Sequence, residues 1–350
     1  MFKGLKGLIA RLLLCACFSV AGSAVRGQEL TGLLLEFGSL RGALFGLLQE
    51  RPAGTARLAF TLADLTGLNP DRLAYPYIAH KSWSISPALR YESNINGGIN
   101  ADTIYVYGLP FAVDEKSKAI SDTTGGIAMS SSLHIAAAHG VILTMAAKGE
   151  YRHALKKNFS VRSASFNIGL SKNFENMRYI QALAYVGGRW TDFQHGKNYS
   201  AALTYGRLTG SARQLQDMSL TVARVFNNKV WQNRLRANWS LGLPAAGYFT
   251  LSLEKGERIA GEMLFDYAIG LSWSDFLFGR ATSFSLSHRE EKGIRIAGTE
   301  REDRVWSLRA ERRISANLNG YIAVEKRDST VDAFSDTLLD LGIVIRSLRF

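Results

Sequence analysis

From residue 82 onward, apolar and polar side chains alternate with a period of two. In one such segment, Trp231 and Trp239 share one parity while Arg234 and Arg236 occupy the other. Successive side chains of a β-strand point to opposite faces, so the pattern predicts strands with one apolar and one polar face. A soluble β-sandwich produces the same alternation, so periodicity alone does not choose between a sandwich and a barrel.

The alternating segments predict fourteen antiparallel strands, to within two because the parity of 177–187 and 318–327 is ambiguous. A closed barrel with both termini on one side requires an even count. Connections after odd strands, such as 93–124, are mostly longer than the others, as in barrels with short periplasmic turns. The predicted strands are 82–92, 125–138, 141–152, 159–172, 177–187, 198–208, 214–226, 230–241, 248–256, 264–274, 281–292, 303–313, 318–327 and 337–350.

Both faces of these strands favour a membrane barrel over a sandwich. Aromatic pairs on the apolar parity are eight residues apart, which is about 26 Å along a strand and about 20 Å after a tilt of about 40°. That height matches the apolar band between two aromatic girdles. The predicted girdle consists of Trp83, Tyr91, Trp231, Trp239, Phe265 and Trp273. The predicted lumen-facing residues are Arg90, Lys148, Glu150, Arg152, Arg234, Arg236, Asp266 and Arg309.

The chain ends on Phe350, with Leu348 and Val344 on the same parity. A terminal aromatic on a last strand is a signal for the barrel assembly machinery, so that machinery and outer-membrane lipid are the expected partners. The predicted fold is therefore all-β: a transmembrane, antiparallel, up-and-down β-barrel of about fourteen strands in the cell outer membrane, preceded by a short helical periplasmic segment.

The first residues follow a different pattern. Residues 1–27 combine basic positions, a short apolar run and small residues, which predicts a cleaved signal peptide. A lipoprotein signal at Cys17 and an anchoring helix are the alternatives. Residues 28–80 have apolar side chains at helical spacing, and this helical segment is either a docking element or plug, or a lead-in packed against the barrel mouth. The barrel is expected to occupy 81–350.

Composition narrows the chemistry of the chain. It is 47% hydrophobic, which excludes a disordered protein. Its net charge of +12 does not indicate nucleic-acid binding, because the basic residues are spread through strands at lumen parity. No nucleophile elbow or phosphate-cradling glycine motif occurs, and both cysteines precede residue 28. The sequence predicts no enzyme and no cofactor.

The histidines and the acids of the first loop are the residues that could bind a metal ion. No two of the six histidines lie at metal-ligand spacing on one predicted strand face, and His134 and His139 flank a turn and would point apart. The acids of loop 93–124 lack the regular interval of a Ca²⁺ loop, so solvated carboxylates are the simpler interpretation. These acids are Asp102, Asp114, Glu115 and Asp122.

The first strand and its loop contain a recognisable motif. They read Tyr91-Glu92-Ser93-Asn94-Ile95-Asn96-Gly97-Gly98, then Asp102-Thr103 and Gly108-Leu109-Pro110-Phe111. A first barrel strand that ends in an Asn-x-Asn loop resembles the barrel domain of the surface lipoprotein assembly modifier (Slam) family. The resemblance implies a fourteen-stranded barrel that aids translocation of lipoproteins to the cell surface, with a lipoprotein client as partner. The residues that carry it are Asn94, Asn96, Gly97 and Gly98.

The resemblance does not extend to the N-terminal region. Slam proteins usually carry tetratricopeptide repeats before the barrel, and no repeat of about 34 residues occurs here. Two other functions fit the same sequence. One is a passive diffusion porin for small anionic solutes, indicated by Arg234 and Arg236 on one strand face, with loop 93–124 long enough to fold inward. The other is a barrel that displays loops for adhesion.

Overall fold

A computed structural model describes most of the chain. The described residues are 30–50, 54–72, 74–106, 109–192, 195–211, 214–227, 229–244, 246–296, 299–315, 318–345 and 348–349. The predicted signal peptide, 1–27, and the predicted assembly signal, Phe350, lie outside these ranges.

Strands dominate the described chain. They are β1 Tyr77–Glu92, β2 Thr103–Val106, β3 Leu109–Ala112, β4 Asp122–Ala138, β5 Val141–Ala154, β6 Ser160–Asn173, β7 Arg178–Thr191, β8 His195–Ser211, β9 Gln214–Asn227, β10 Val230–Leu243, β11 Gly247–Gly256, β12 Leu264–Leu277, β13 Arg280–Ile296, β14 Thr299–Ser315, β15 Leu318–Ser329, β16 Asp336–Ile345 and β17 Leu348–Arg349.

These strands form one closed antiparallel barrel. Neighbours follow chain order from β4 to β16, and β1 closes the cylinder by pairing with β4 on one side and with β16 and β17 on the other. Because β17 continues the line of β16 against β1, the barrel has fourteen strand positions. The predicted fold class is confirmed. Each predicted strand overlaps one observed strand, except 337–350, which overlaps both β16 and β17. The β2–β3 hairpin lies outside this sheet.

The observed strands are longer than the sequence predicts. β1 begins at Tyr77 rather than at residue 82, and most of the predicted loop 293–302 belongs to β13 and β14. The alternation breaks in these extensions, because a β-bulge lies between Ile78 and His80 in β1 and charged residues occupy successive positions from Glu300 to Arg304 in β14. Connections such as 139–140, 174–177 and 278–279 define what we call the short-turn end. The opposite end carries residues 93–121, here named loop L1, and is the long-loop end.

Apolar side chains cover the outside of the cylinder. Leu89, Ile127, Leu203, Val222 and Leu235 are each between 49% and 57% exposed. Apolar area in contact with water costs about 25 cal/mol per Å², so a continuous belt of such residues needs lipid around it. A closed antiparallel barrel with this belt is the architecture of an outer-membrane protein.

Three helices precede the barrel: α1 Leu30–Phe37, α2 Leu40–Glu50 and α3 Ala56–Thr66. Between α1 and α2 the Ser39 side chain accepts a hydrogen bond from the Gly42 N–H at 3.0 Å, which caps α2. α3 ends at Gly67, whose φ of 73° is the left-handed conformation that glycine adopts freely. Among the described residues, no helix has the length and apolar character needed to cross a membrane.

Candidate functional site

A cavity lies inside the barrel against β1 and β4–β8. Its volume is about 460 Å³. Small residues such as Ser84, Ser130 and Ser165 line much of this wall and leave the space open. The larger polar and charged side chains around the cavity are Arg90, Lys148, Glu150, Tyr185, Arg189 and Asn198.

Loop L1 folds into the lumen at the long-loop end. Ile95 is 1% exposed and packs with Ala154, Phe159 and Val161 at the β5–β6 side of the mouth. Arg189 of β7 donates a hydrogen bond from Nη2 to the Ile95 carbonyl oxygen at 3.0 Å. Since β4, β5 and β6 separate β1 from β7, this contact draws L1 across the mouth and narrows it.

The motif that carries the family resemblance shapes this loop. Asn94 Oδ1 accepts from the Gly98 N–H at 2.9 Å, and Asn94 Nδ2 donates to the Gly98 carbonyl at 2.8 Å. Asn96 Nδ2 donates to the Lys118 carbonyl at 2.7 Å, and Asn96 Oδ1 accepts from the Ile120 N–H at 2.9 Å. Gly97 has a φ of 67°, and a Cβ on Gly98 would lie 2.4 Å from the Lys118 carbonyl oxygen. These residues therefore tie the outgoing and returning halves of L1 together.

The acids of this wall are shared between arginines. Glu150 lies 3.2 Å from Arg90 and 3.1 Å from Arg152. Arg152, which is nearly buried, also binds Glu92 at 2.8 Å and the Thr124 hydroxyl at 3.1 Å. Each carboxylate at this wall is therefore engaged by a cation that sequence parity placed in the lumen.

Two cations at the cavity remain without such a partner. Among the described residues, neither Lys148 nor Arg189 forms an ion pair. Lys148 was predicted to face the lumen from its parity. Arg189 was not predicted, because the predicted strand ended at residue 187 and left it in a loop. The ambiguous parity of 177–187 was the one sign in the sequence that this strand needed different bounds. The cavity consequently carries a net positive charge.

The opposite wall is closer to neutral. Arg234 and Arg236 share Glu254 at 3.5 and 2.6 Å, and Arg309 contacts Glu311 at 3.1 Å. These three arginines face the lumen as expected from parity, but acids on neighbouring positions offset their charge. The sequence indicated an interior that attracts anions because of Arg234 and Arg236. In the structure, the cations without acidic partners at the cavity are Lys148 and Arg189 instead.

The structure corrects the expected orientation of Phe265 and Asp266. A β-bulge between Phe265 and Tyr267 shifts the register of β12 against β13. Phe265 therefore turns into the lumen, where the Arg234 guanidinium lies 4.6 Å from its ring centroid. Asp266 instead forms an ion pair with Lys255, whose strand position pairs with outward-facing Leu235. A bulge inserts one residue and reverses parity beyond it, which strict alternation cannot predict.

The other predicted girdle residues lie on the apolar exterior. Trp83, Tyr91, Trp231 and Trp239 are between 36% and 44% exposed. Trp273 stacks on Phe284 of the next strand and donates its indole N–H to a turn carbonyl at the short-turn end at 2.8 Å. Amphipathic rings at these heights suit the boundary between lipid and water.

The helices fill the mouth at the short-turn end. α1 contacts β10–β12, α2 contacts β8 and β9, and α3 contacts β1, β4 and β5. Their apolar core is continuous with lumen-facing strand ends and contains Leu34, Leu44 and Leu62 from the helices with Tyr179, Leu208 and Leu215 from the barrel. We call α1–α3 the helical plug.

Polar contacts fix the plug to the barrel. Asn173, only 4% exposed, accepts from Arg41 Nη1 at 3.2 Å and donates to the Thr66 carbonyl at 2.8 Å. The Arg41 guanidinium lies 3.7 Å from the Tyr179 ring centroid. One barrel residue thus links α2 and α3, and an ion pair between Glu36 and Arg313 anchors α1. The role of Asn173 was not predicted, because a residue at the edge of a predicted turn gives no sign in the sequence of a distant partner.

The loop acids considered for Ca²⁺ are occupied by other contacts. Lys118 binds both Asp102 at 2.8 Å and Glu115 at 2.6 Å. Asp114 caps a short 3₁₀ helix, and Asp122 accepts hydrogen bonds from two backbone N–H groups at 2.8 Å. Within the described ranges, no group of three or more His, Cys, Asp or Glu residues could hold a metal ion.

The histidines are arranged differently from expectation. His134 faces His80 across the β1–β4 pair, with ring centroids 5.4 Å apart. The predicted first strand began at residue 82 and left His80 outside it, whereas β1 starts early enough to include His80 and pair it with His134. His139 lies in a turn and contacts Glu175 at 3.3 Å.

Comparison with known proteins finds likeness in structure only. No protein-family model matches the chain, and no characterised protein matches its sequence. The outer membrane protein OpdK from Pseudomonas aeruginosa aligns with a TM-score of 0.46 and 8% identity, over 78% of this chain and all of that chain. OprD from the same organism gives 0.40 and 11%, over 77% and 94%. OccAB2 from Acinetobacter baumannii gives 0.39 and 10%, over 78% and 99%. Similarity at this level carries no conclusion about solute or mechanism.

Proposed function

We propose that the protein is an outer-membrane channel for small anionic solutes. The observation that carries this proposal is the pair Lys148 and Arg189, which lack acidic partners among the described residues and face a cavity narrowed by L1. An inward-folded loop beside uncompensated cations is the arrangement that a selective diffusion channel needs. Pockets of about 300–1,000 Å³ hold drug-sized molecules, so a cavity of about 460 Å³ suits a small organic anion.

The charge effect is large enough to measure. A unit charge about 5 Å from an ion in a water-like medium contributes about 0.8 kcal/mol. That energy raises the local anion concentration about fourfold and lowers that of cations by the same factor, before salt reduces both. One such charge changes the anion-to-cation ratio about 16-fold without screening, so removing both cations should lower the permeability ratio at least several-fold after salt screening.

The helical plug restricts passage at the other end. Because α1–α3 contact strands around most of the short-turn mouth, a solute crosses only when the plug shifts. We therefore expect brief, infrequent openings from the intact protein rather than a steadily open pore.

The test is the reversal potential of single channels in a planar bilayer under a KCl gradient. We expect anion selectivity, reduced several-fold in a Lys148→Gln, Arg189→Gln double variant. Lys157→Gln, in the exposed connection after β5, is the matched control and should behave as the parent. The proposal fails if the double variant keeps the parent selectivity. It also fails if neither the parent nor a variant with a loosened plug conducts.

Export of surface lipoproteins stays a prediction from the sequence resemblance. The Asn94–Gly98 motif has a local role in closing L1, and closing L1 is compatible with either function. Deleting the gene and counting protease-accessible lipoproteins on intact cells tests export directly. Loss of surface lipoproteins would favour it, and unchanged surface lipoproteins would remove it.

A further inference from the structure

Two histidines meet on the lumen face between the cavity and the plug. His80 of β1 and His134 of β4 are directly paired. His80 lies two residues before Ser82 in a regularly paired stretch of β1, so the two share a face. The Ser82 hydroxyl bonds that of Ser132 at 2.7 Å. These serines continue the lumen-facing row that lines the cavity, so both imidazoles point inward.

The spacing of the rings fits a shared metal ion. A zinc–nitrogen bond is about 2.0–2.1 Å, which puts a ring centroid about 3.2 Å from the ion. Two imidazoles at a tetrahedral angle of about 109° would then have centroids about 5.2 Å apart. The observed separation is 5.4 Å, with the rings inclined at 64°. The observed centroid separation is therefore within about 0.2 Å of the value that a shared tetrahedral ion requires.

The rings are also free to act as ligands. Among the described residues, neither His80 nor His134 makes a hydrogen bond or an ion pair. Their two rings contact each other. His80 is exposed and His134 partly buried, so water can complete the coordination. Thr144, which pairs with His134 on β5, places a hydroxyl-bearing residue beside them.

We propose that His80 and His134 together bind a divalent transition-metal ion of the Zn²⁺ class, with water at the remaining positions. Imidazole suits Zn²⁺, Cu²⁺ and Ni²⁺, whereas Mg²⁺ prefers oxygen ligands. Tyr77, three positions before His80, bonds Asp64 of α3, and Ser130, four before His134, lines the cavity. An ion held here therefore lies along the path between plug and cavity, and it adds positive charge to the lumen.

The test measures Zn²⁺ binding by calorimetry on the detergent-folded protein, which separates it from channel activity. We expect one saturable site, with affinity lowered at least about tenfold in His80→Asn and in His134→Asn, since even outer-shell changes reach that size. His153→Asn, an exposed histidine at the far end of β5, is the matched control and should bind as the parent. Mg²⁺ should give no saturable binding.

Three results would overturn the proposal. They are the absence of saturable Zn²⁺ binding up to millimolar concentration, unchanged affinity in both variants, and equal loss in His153→Asn. Circular dichroism of each variant checks that the barrel has formed. If either asparagine variant fails to fold, a glutamine at the same position gives the measurement. Anion selectivity without Zn²⁺ binding would refute only this site, and Zn²⁺ binding without conductance would refute only the channel.

Discussion

Asn173 offers the sharpest test of how the helical plug is held. Its side chain accepts one hydrogen bond from Arg41 and donates another to the Thr66 carbonyl. A hydrogen bond to a charged group contributes about 1.5–3 kcal/mol and a neutral one about 0.5–1.5 kcal/mol. Asn173→Ala removes both, so we expect the docking of α2 and α3 to weaken by about 2–4 kcal/mol. Since about 1.4 kcal/mol is tenfold, transient opening should become about 30- to 1,000-fold more frequent.

Hydrogen exchange followed by mass spectrometry measures this opening directly. Peptides from α2 and α3 should exchange faster in Asn173→Ala, while barrel strands away from the turn keep their protection. Asn173→Asp keeps an acceptor for Arg41 but cannot donate to Thr66, so α3 should loosen more than α2. Asn176→Ala, in the exposed part of the same turn, is the matched control. Unchanged exchange of both helices in Asn173→Ala would refute the reasoning, as would equal acceleration by Asn176→Ala.

Two further predictions concern L1 and α3. Asn96→Ala removes two side-chain hydrogen bonds that join the two halves of L1, which should raise the rate of proteolytic cleavage within 93–121 about 10-fold or more; a cleavage rate equal to that of the parent would contradict this role. In α3, a hydrogen bond from Arg72 at 3.0 Å holds the pKa of Asp64 below its usual range. A depressed folded pKa stabilises the folded state above the unfolded pKa of about 3.9, and this stabilisation is lost as pH falls through the folded pKa. The circular dichroism signal of the helices should therefore weaken below about pH 4 in the parent, and Asp64→Asn should reduce that pH dependence. Identical acid profiles of parent and variant would refute this role of Asp64.

Sequence alternation was sufficient to locate the fourteen strands. A strand's two faces are set by its own residues, because side chains alternate without reference to any partner. One face of each strand contacts lipid and the other faces the water-filled lumen, so apolar and polar residues alternate in almost every strand. Pairing beyond the apolar band carried no such signal, so the ends of β1, β13 and β14 extend further than the pattern predicts.

What the sequence left open depends on contacts between residues far apart in the chain. The Phe265 ring faces the lumen because of a bulge in β12, since one inserted residue reverses the orientation of the residues before it relative to those after it. His80 meets His134, Arg189 meets Ile95, and Asn173 meets Thr66 only when strands, loop and helices come together in space. The period of a strand states which face a residue occupies, but register and closure decide which residues share that face. The cavity, the plug and the paired histidines are therefore products of the tertiary structure.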